Sequence, residues 1–176
     1  MVNIGKRFEN NFRDSIPDNI LYYRLKDSAQ SFGNSNHLRF SSKNPFDCLL
    51  YKFPSLFALE LKSVGTSSIS FERSKDEKGI IHYHQIQGLN EWGKHEGVIA
   101  GLILNFRHKD GNENCYFVHI QDFVNMVQTL DKKSFNEKDL CNYNPLIIKN
   151  EKKKVNYRYD ISKFIIEAQE KYMKQI

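Results

Sequence analysis

Residues 44–63, "NPFDCLLYKFPSLFALELKS", decide how the rest of the chain is read. Phe46, Leu49 and Leu50 lead one apolar run, and Leu56, Phe57, Leu59 and Leu61 make a second. Between them Phe53-Pro54-Ser55 suits a turn, because proline fixes its own φ and cannot donate to a sheet ladder. The pattern predicts two antiparallel strands. Side chains in a strand alternate faces, so Glu60 and Lys62 share one face while Leu59 and Leu61 take the other. The turn near Pro54 then sets Asp47 across from the Glu60–Lys62 end. An acid at the entrance, and an acid and a cation inside a run fit for a core, are expected to meet at one edge of the sheet. The apolar flanks would hold them rigidly.

Two carboxylates held close repel, and each raises the pKa of the other unless a cation intervenes. Hard oxygen ligands favour Mg²⁺, which commonly takes one or two protein carboxylates and keeps several waters. A lysine beside such a pair can orient or help deprotonate an attacking water, or stabilise charge on a phosphate. A Glu-x-Lys spacing alone arises constantly by chance, and a hairpin with Glu60 and Lys62 facing solvent is the plain alternative. Asp47 ahead of the turn, the spacing inside an apolar strand, and a polar segment leading to a helix carry the reading together.

Outward from this hairpin, Ile4, Phe8, Phe12 and Ile16 recur every four residues and predict a helix ended by Pro17 and Asp18. Residues 19–25, "NILYYRL", read as a strand. Residues 26–44 are Ser/Asn/Gly-rich without periodicity and predict a long loop or extended hairpin. Residues 65–79 read as a polar excursion, free to be mobile. Ile86, Leu89 and Trp92 mark an amphipathic helix that Gly93 and Gly97 close. "VIAGLILNF" (98–106) suits a central strand covered on both faces, and Asp110-Gly111 a hairpin turn into "CYFVHI". "QDFVNMVQTL" fits a helix over the sheet, and Ser134 with Glu137 has the spacing of a capping box. Ile161, Phe164, Ile165, Ala168 and Tyr172 predict a last helix opened by Asp160. The order predicts an α/β fold in one domain, residues 1–176, with a mixed central sheet flanked by helices.

Composition bounds the function. With 40% hydrophobic and 27% charged residues the chain is neither disordered nor built of membrane spans. The first residues turn polar at once and lack the apolar centre of a signal peptide. Three cysteines without a CxxC pair are expected as free thiols in a reducing cytoplasm. His82 and His84 have a zinc-ligand spacing but no further Cys or His cluster, so they read as a hydrogen-bonding pair at a helix entrance. Twenty-six Lys and Arg against 21 Asp and Glu give a net charge of +5. Lys26, Arg39 and Lys43 gather around one loop, and Lys152, Lys153, Lys154 and Arg158 near the C-terminus. Such clusters suit a polyanion, although the 152–154 run equally suits a solvated face.

Asp47, Glu60, Leu61 and Lys62, with Asn44-Pro45-Phe46 in front, resemble the PD-(D/E)xK nuclease signature. More narrowly, the chain resembles RecU, the Holliday junction resolvase of Firmicutes and some of their phages. The resemblance runs from about residue 44 into the last helix and includes "HYHQIQGLNEW", "GVIAGLILNF" and "NYNPLIIK…YRYDISKFI". It implies a restriction-endonuclease-like fold and a homodimer that nicks opposing strands of a four-way DNA junction with Mg²⁺ or Mn²⁺. Asp47 and Glu60 would hold the metal, Lys62 would act on the attacking water, and Gln85 would assist. Glu9 corresponds to a glutamate that related nucleases keep near the metal; its alternative is an exposed residue paired with Arg13. The stalk position falls on residues 26–43, with Arg24, Lys26, His37, Arg39 and Lys43 as phosphate contacts, and is shorter than the bacterial family's. Two rivals stay open: a restriction-type enzyme reading duplex DNA, and a catalytically silent DNA-binding module that uses the basic loop for architecture.

Overall fold

In the computed structural model, residues 4–26 and 43–173 are described. The chain opens with helix α1 (Ile4–Arg13), then strands β1 (Leu21–Arg24), β2 (Cys48–Lys52), β3 (Ser55–Val64) and β4 (Ser68–Ser70). Helix α2 (Tyr83–Trp92) leads to β5 (Val98–Arg107), β6 (Glu113–His119), α3 (Ile120–Thr129), β7 (Ser134–Asn136) and α4 (Glu137–Cys141). The chain ends with β8 (Leu146–Ile148), β9 (Asn150–Lys153), β10 (Asn156–Tyr159) and α5 (Ile161–Tyr172). Six strands form the main sheet in the order β1-β2-β3-β5-β6-β8. Only β3 and β5 run parallel; the other neighbours are antiparallel, so the sheet is mixed. This is the mixed α/β architecture expected from the sequence, a central mixed sheet flanked by helices.

Alternation along the two central strands divides the core. Leu59 and Leu61 face one layer, with Phe8 and Phe12 of α1 and Phe164, Ile165 and Ala168 of α5. Ala58 and Val64 face the other, with Ile86 and Leu89 of α2 and Phe123 and Met126 of α3. The "VIAGLILNF" run is buried along nearly its whole length, as a strand covered on both faces must be. Its one polar residue, Asn105, is fully buried and partnered: Ser63 Oγ donates to Asn105 Oδ1 at 2.7 Å and Asn105 Nδ2 donates to Glu113 Oε2 at 3.1 Å.

Two expectations need correction, and some short elements went unread. Residues 65–79 are not a free polar excursion. β4 pairs with β7, Ile69 and Phe71 are buried, and Phe71 stacks on Phe135 at 6.1 Å. The short run of apolar side chains inside polar sequence hid a second, two-stranded sheet. The capping box near Ser134 is shifted. Ser134 lies in β7, and Asn136 caps α4 by accepting from Asp139 N at 2.8 Å while Asp139 Oδ2 accepts from Asn136 N at 2.9 Å. Finally, β8 and the β9–β10 hairpin had no period long enough to read; Lys152 and Lys153 lie in β9 and Arg158 in β10. The projecting loop or stalk, with His37 and Arg39, lies outside the described residues.

Helix α2 meets the segment leading into the hairpin at Gly88. A Cβ added there would sit 2.4 Å from Pro45 Cβ, so the missing side chain lets α2 press against the segment that delivers Asp47. Helix propensity alone favours alanine over glycine by about 1 kcal/mol in a helix interior. The overlap is well inside contact distance and should win, at a net cost of about 1–3 kcal/mol. Gly88→Ala is therefore expected to lower the unfolding midpoint; a midpoint at or above wild type would show that α2 and Pro45 separate without penalty.

Candidate active site

Register brings the hairpin acids together. Cys48 pairs with Leu59, so Asp47 enters the sheet beside Glu60, and Asp47 N donates to Leu59 O at 3.1 Å. Asp47 Oδ2 accepts from Leu61 N at 2.8 Å, which fixes the carboxyl against β3. Glu60 is 1% exposed, in the middle of the sheet. Its Oε1 takes two donors: Lys62 Nζ at 2.8 Å and Gln85 Nε2 at 2.5 Å. Its Oε2 is buried and has no hydrogen-bond partner among the described residues. A cleft of about 220 Å³ lined by Lys43, Asn44, Phe46, Asp47, Glu60, His84 and Gln85 opens over the pair.

The electrostatics follow from this placement. Burial pushes the Glu60 carboxyl up to about 8, and the charge of Asp47 adds to the rise against the opposing pull of Lys62. Burial also raises Asp47, but the Leu61 N–H and the cations Lys62 and Arg24 oppose it. Glu60 is the more deeply buried of the two carboxyls, so it is the one that keeps the proton. A proton or a cation must sit between them. Hard oxygen donors, an orphaned buried oxygen and an adjacent open cleft fit a divalent cation bound by Asp47 and Glu60. Among the described residues no group of three or more His, Cys, Asp or Glu side chains converges on a metal position.

The remaining predicted residues fall at different distances from this centre. Glu9 pairs with Arg24 at 2.8 Å rather than with Arg13, which pairs with Asp14 at 2.8 Å. Arg24 in turn acts on Asp47, so Glu9 lies one charge removed from the carboxylates. Arg24, expected as a phosphate contact, is thus engaged at the edge of the sheet. Lys26 contributes a backbone carbonyl that accepts from Asn44 Nδ2 at 2.9 Å, closing the base of the 26–44 segment. Lys43 lines the cleft. Trp92 packs edge-on against Phe46 at 5.0 Å and lies partly buried against the core. His82 Nδ1 lies 2.8 Å from Glu72 Oε1, and the His82 and His84 rings stack at 5.5 Å. Sequence reasoning missed His84 and Asn44 as lining residues. The sequence marks Asn44 only as part of the motif before Asp47 and His84 only by its spacing from His82; the approach of α2 to the 44–46 segment brings them to the cleft.

Fold and site together define a class: a mixed α/β protein whose central hairpin presents a carboxylate pair and a lysine on a buried sheet face. No family model matches the chain. Over 173 residues it is 34% identical to the SPbeta prophage-derived uncharacterized protein YotM of Bacillus subtilis (strain 168), an alignment spanning 92% of this chain and 84% of that one. The chain belongs to the family of that protein. Among solved structures it is similar to Hjc, a Holliday junction resolvase from Archaeoglobus fulgidus, with a TM-score of 0.41 and 12% identity over 73% of this chain and 83% of that one. Among the described residues no helix is long and apolar enough to cross a membrane.

Proposed function

We propose that this chain is a divalent-metal-dependent DNA endonuclease of the RecU type, which nicks opposing strands of four-way junctions as a homodimer. One observation carries the reading. Glu60 Oε2 is buried without a partner beside a second carboxylate, while Lys62 and Gln85 both occupy the other oxygen of Glu60. A structural ion pair would use both oxygens; this one leaves an oxygen for a ligand not made of protein. Mg²⁺ or Mn²⁺, when bound by Asp47 and Glu60, supplies the charge that stabilises the phosphoryl oxygens and makes a bound water more acidic.

The chain's own residues do the rest. Gln85 and Lys62 hold Oε1 of Glu60, so the carboxylate cannot rotate its free oxygen away. The Lys62 ammonium, 18% exposed, stands where it can orient a water or stabilise phosphate charge during hydrolysis of one P–O ester bond. Lys43 at the cleft and the basic 26–43 segment suit the flanking phosphates. The set of an acid pair with its lysine disfavours a purely architectural DNA-binding role, since binding phosphates needs no buried carboxylates.

The test compares cleavage of a mobile four-way junction with that of its matching linear duplex, in Mg²⁺, in Mn²⁺ and in EDTA. Paired nicks in the junction that require either metal are expected. Cutting of the duplex at a fixed recognition site would replace the resolvase reading with a restriction-type one, and sedimentation of the protein alone measures whether it is a dimer.

A further inference from the structure

Between β3 and α2 the sequence is polar, yet one of its carboxylates is nearly buried. Glu72 is 9% exposed, and both of its oxygens are engaged. Oε1 lies 2.8 Å from His82 Nδ1 and accepts from Gly79 N at 3.2 Å; Oε2 accepts from Tyr83 N at 2.8 Å. Its neighbours pin it in place. Phe71 packs against Phe123 and Phe135, and the Arg73 guanidinium donates to the carbonyls of Leu130 at 2.6 Å and Lys132 at 3.0 Å, past the end of α3. Glu72 N donates to Ile81 O at 3.0 Å. Burial works against its charge, but hydrogen bonds from His82 and from the Tyr83 and Gly79 amides outweigh it and hold the carboxyl below the usual range.

Tyr83 is the first residue of α2, so its N–H is one of those a helix cannot satisfy internally, and a carboxylate there is favoured by the helix dipole. The next donor, His82 N, goes to Gln85 Oε1 at 2.9 Å. That contact settles how the Gln85 amide points. With its oxygen held by a backbone N–H, Gln85 has only its NH₂ to offer Glu60, and a flipped amide would set donor against donor at His82. The contacts run from Glu72 through the first turn of α2 and Gln85 to Oε1 of Glu60.

We infer that Glu72 is a positioning residue of the carboxylate site, fixing the first turn of α2 so that Gln85 holds Oε1 of Glu60 and leaves Oε2 for a divalent cation. The inference rests on the metal reading above and adds a residue that touches neither metal nor DNA. Its measure is the Mn²⁺ affinity of the full chain without DNA, read by paramagnetic resonance of free Mn²⁺ for wild type, Glu72→Ala, Gln85→Ala and the double variant. Outer partners of metal ligands are worth about 10–100-fold in affinity, so each single variant is expected to bind about tenfold more weakly. Because both act on one contact, the double variant should bind no more weakly than Gln85→Ala alone. Unchanged affinity in Glu72→Ala, or losses that multiply in the double variant, would overturn the inference. If Glu72→Ala does not fold, Glu72→Gln keeps the volume and turns one acceptor into a donor facing an N–H; wild-type affinity in that variant overturns it equally. A wild type that binds no Mn²⁺ removes the metal reading itself. Binding lost in Asp47→Asn but untouched by the Glu72 variants removes this inference alone.

Discussion

Asp47→Asn is expected to abolish nicking while leaving junction binding in low-salt EDTA unchanged. The substitution preserves shape. Asn Oδ1 can still accept from Leu61 N, the bond that fixes residue 47 against β3 at 2.8 Å. What it removes is a negative charge across from Glu60, and with it one of the two anionic ligands of the proposed metal site. Loss of several kcal/mol of transition-state charge stabilisation corresponds to a rate fall of about 10²–10³ or more. In the proposed reading, binding relies instead on Lys and Arg contacts to phosphates, which the substitution leaves alone. Gel-shift and single-turnover cleavage on the same junction separate the two effects. Residual cleavage within tenfold of wild type would mean that Asp47 holds no metal. Binding lost along with cleavage would mean that the hairpin had collapsed.

The second large effect is on stability. Glu60, whose unperturbed pKa is 4.5, is pushed up to about 8 by burial first and by Asp47 second. Between those values the folded chain holds a proton that the unfolded chain has released. Stability contributed by this group is therefore full below about pH 4.5, declines as pH rises, and is gone above about pH 8. Since one pKa unit corresponds to about 1.4 kcal/mol, the swing is on the order of several kcal/mol. Glu60→Gln removes the titration, so the metal-free variant should lose this downward slope and exceed wild type in stability near pH 8. Mg²⁺ should stabilise wild type more at pH 8 than at pH 6, where it competes with the proton, and should not stabilise the variant. Urea unfolding at pH steps from 5 to 9 measures both. Parallel curves for the two proteins in EDTA would show that Glu60 titrates normally.

These effects depend on information of two kinds. The carboxylate pair was legible because a hairpin is local. Strand alternation put Glu60 and Lys62 on one face, and the Pro54 turn fixed the register that delivers Asp47 to them. The long apolar run of β5 and the amphipathic periods of α1, α3 and α5 were legible for the same reason, since each repeats several times within one element. The short pieces were not. β4, β7 and β8 have only three residues each, too few for a period, and they form because a distant partner strand accepts them.

By itself the sequence determined the central hairpin, the faces of its charged residues, and the mixed α/β order around it. These follow from alternation and helical period, which act between neighbours. Only the tertiary structure decided which oxygens those charges leave open. Gln85 reaches Glu60 across 25 residues, and Glu72 reaches the start of α2 from 11 residues before it. Gly88 lets α2 rest on Pro45, two residues ahead of Asp47. Such contacts depend on how layers pack rather than on any local spacing, and they turn three charged residues in a strand into a site with one buried oxygen to offer.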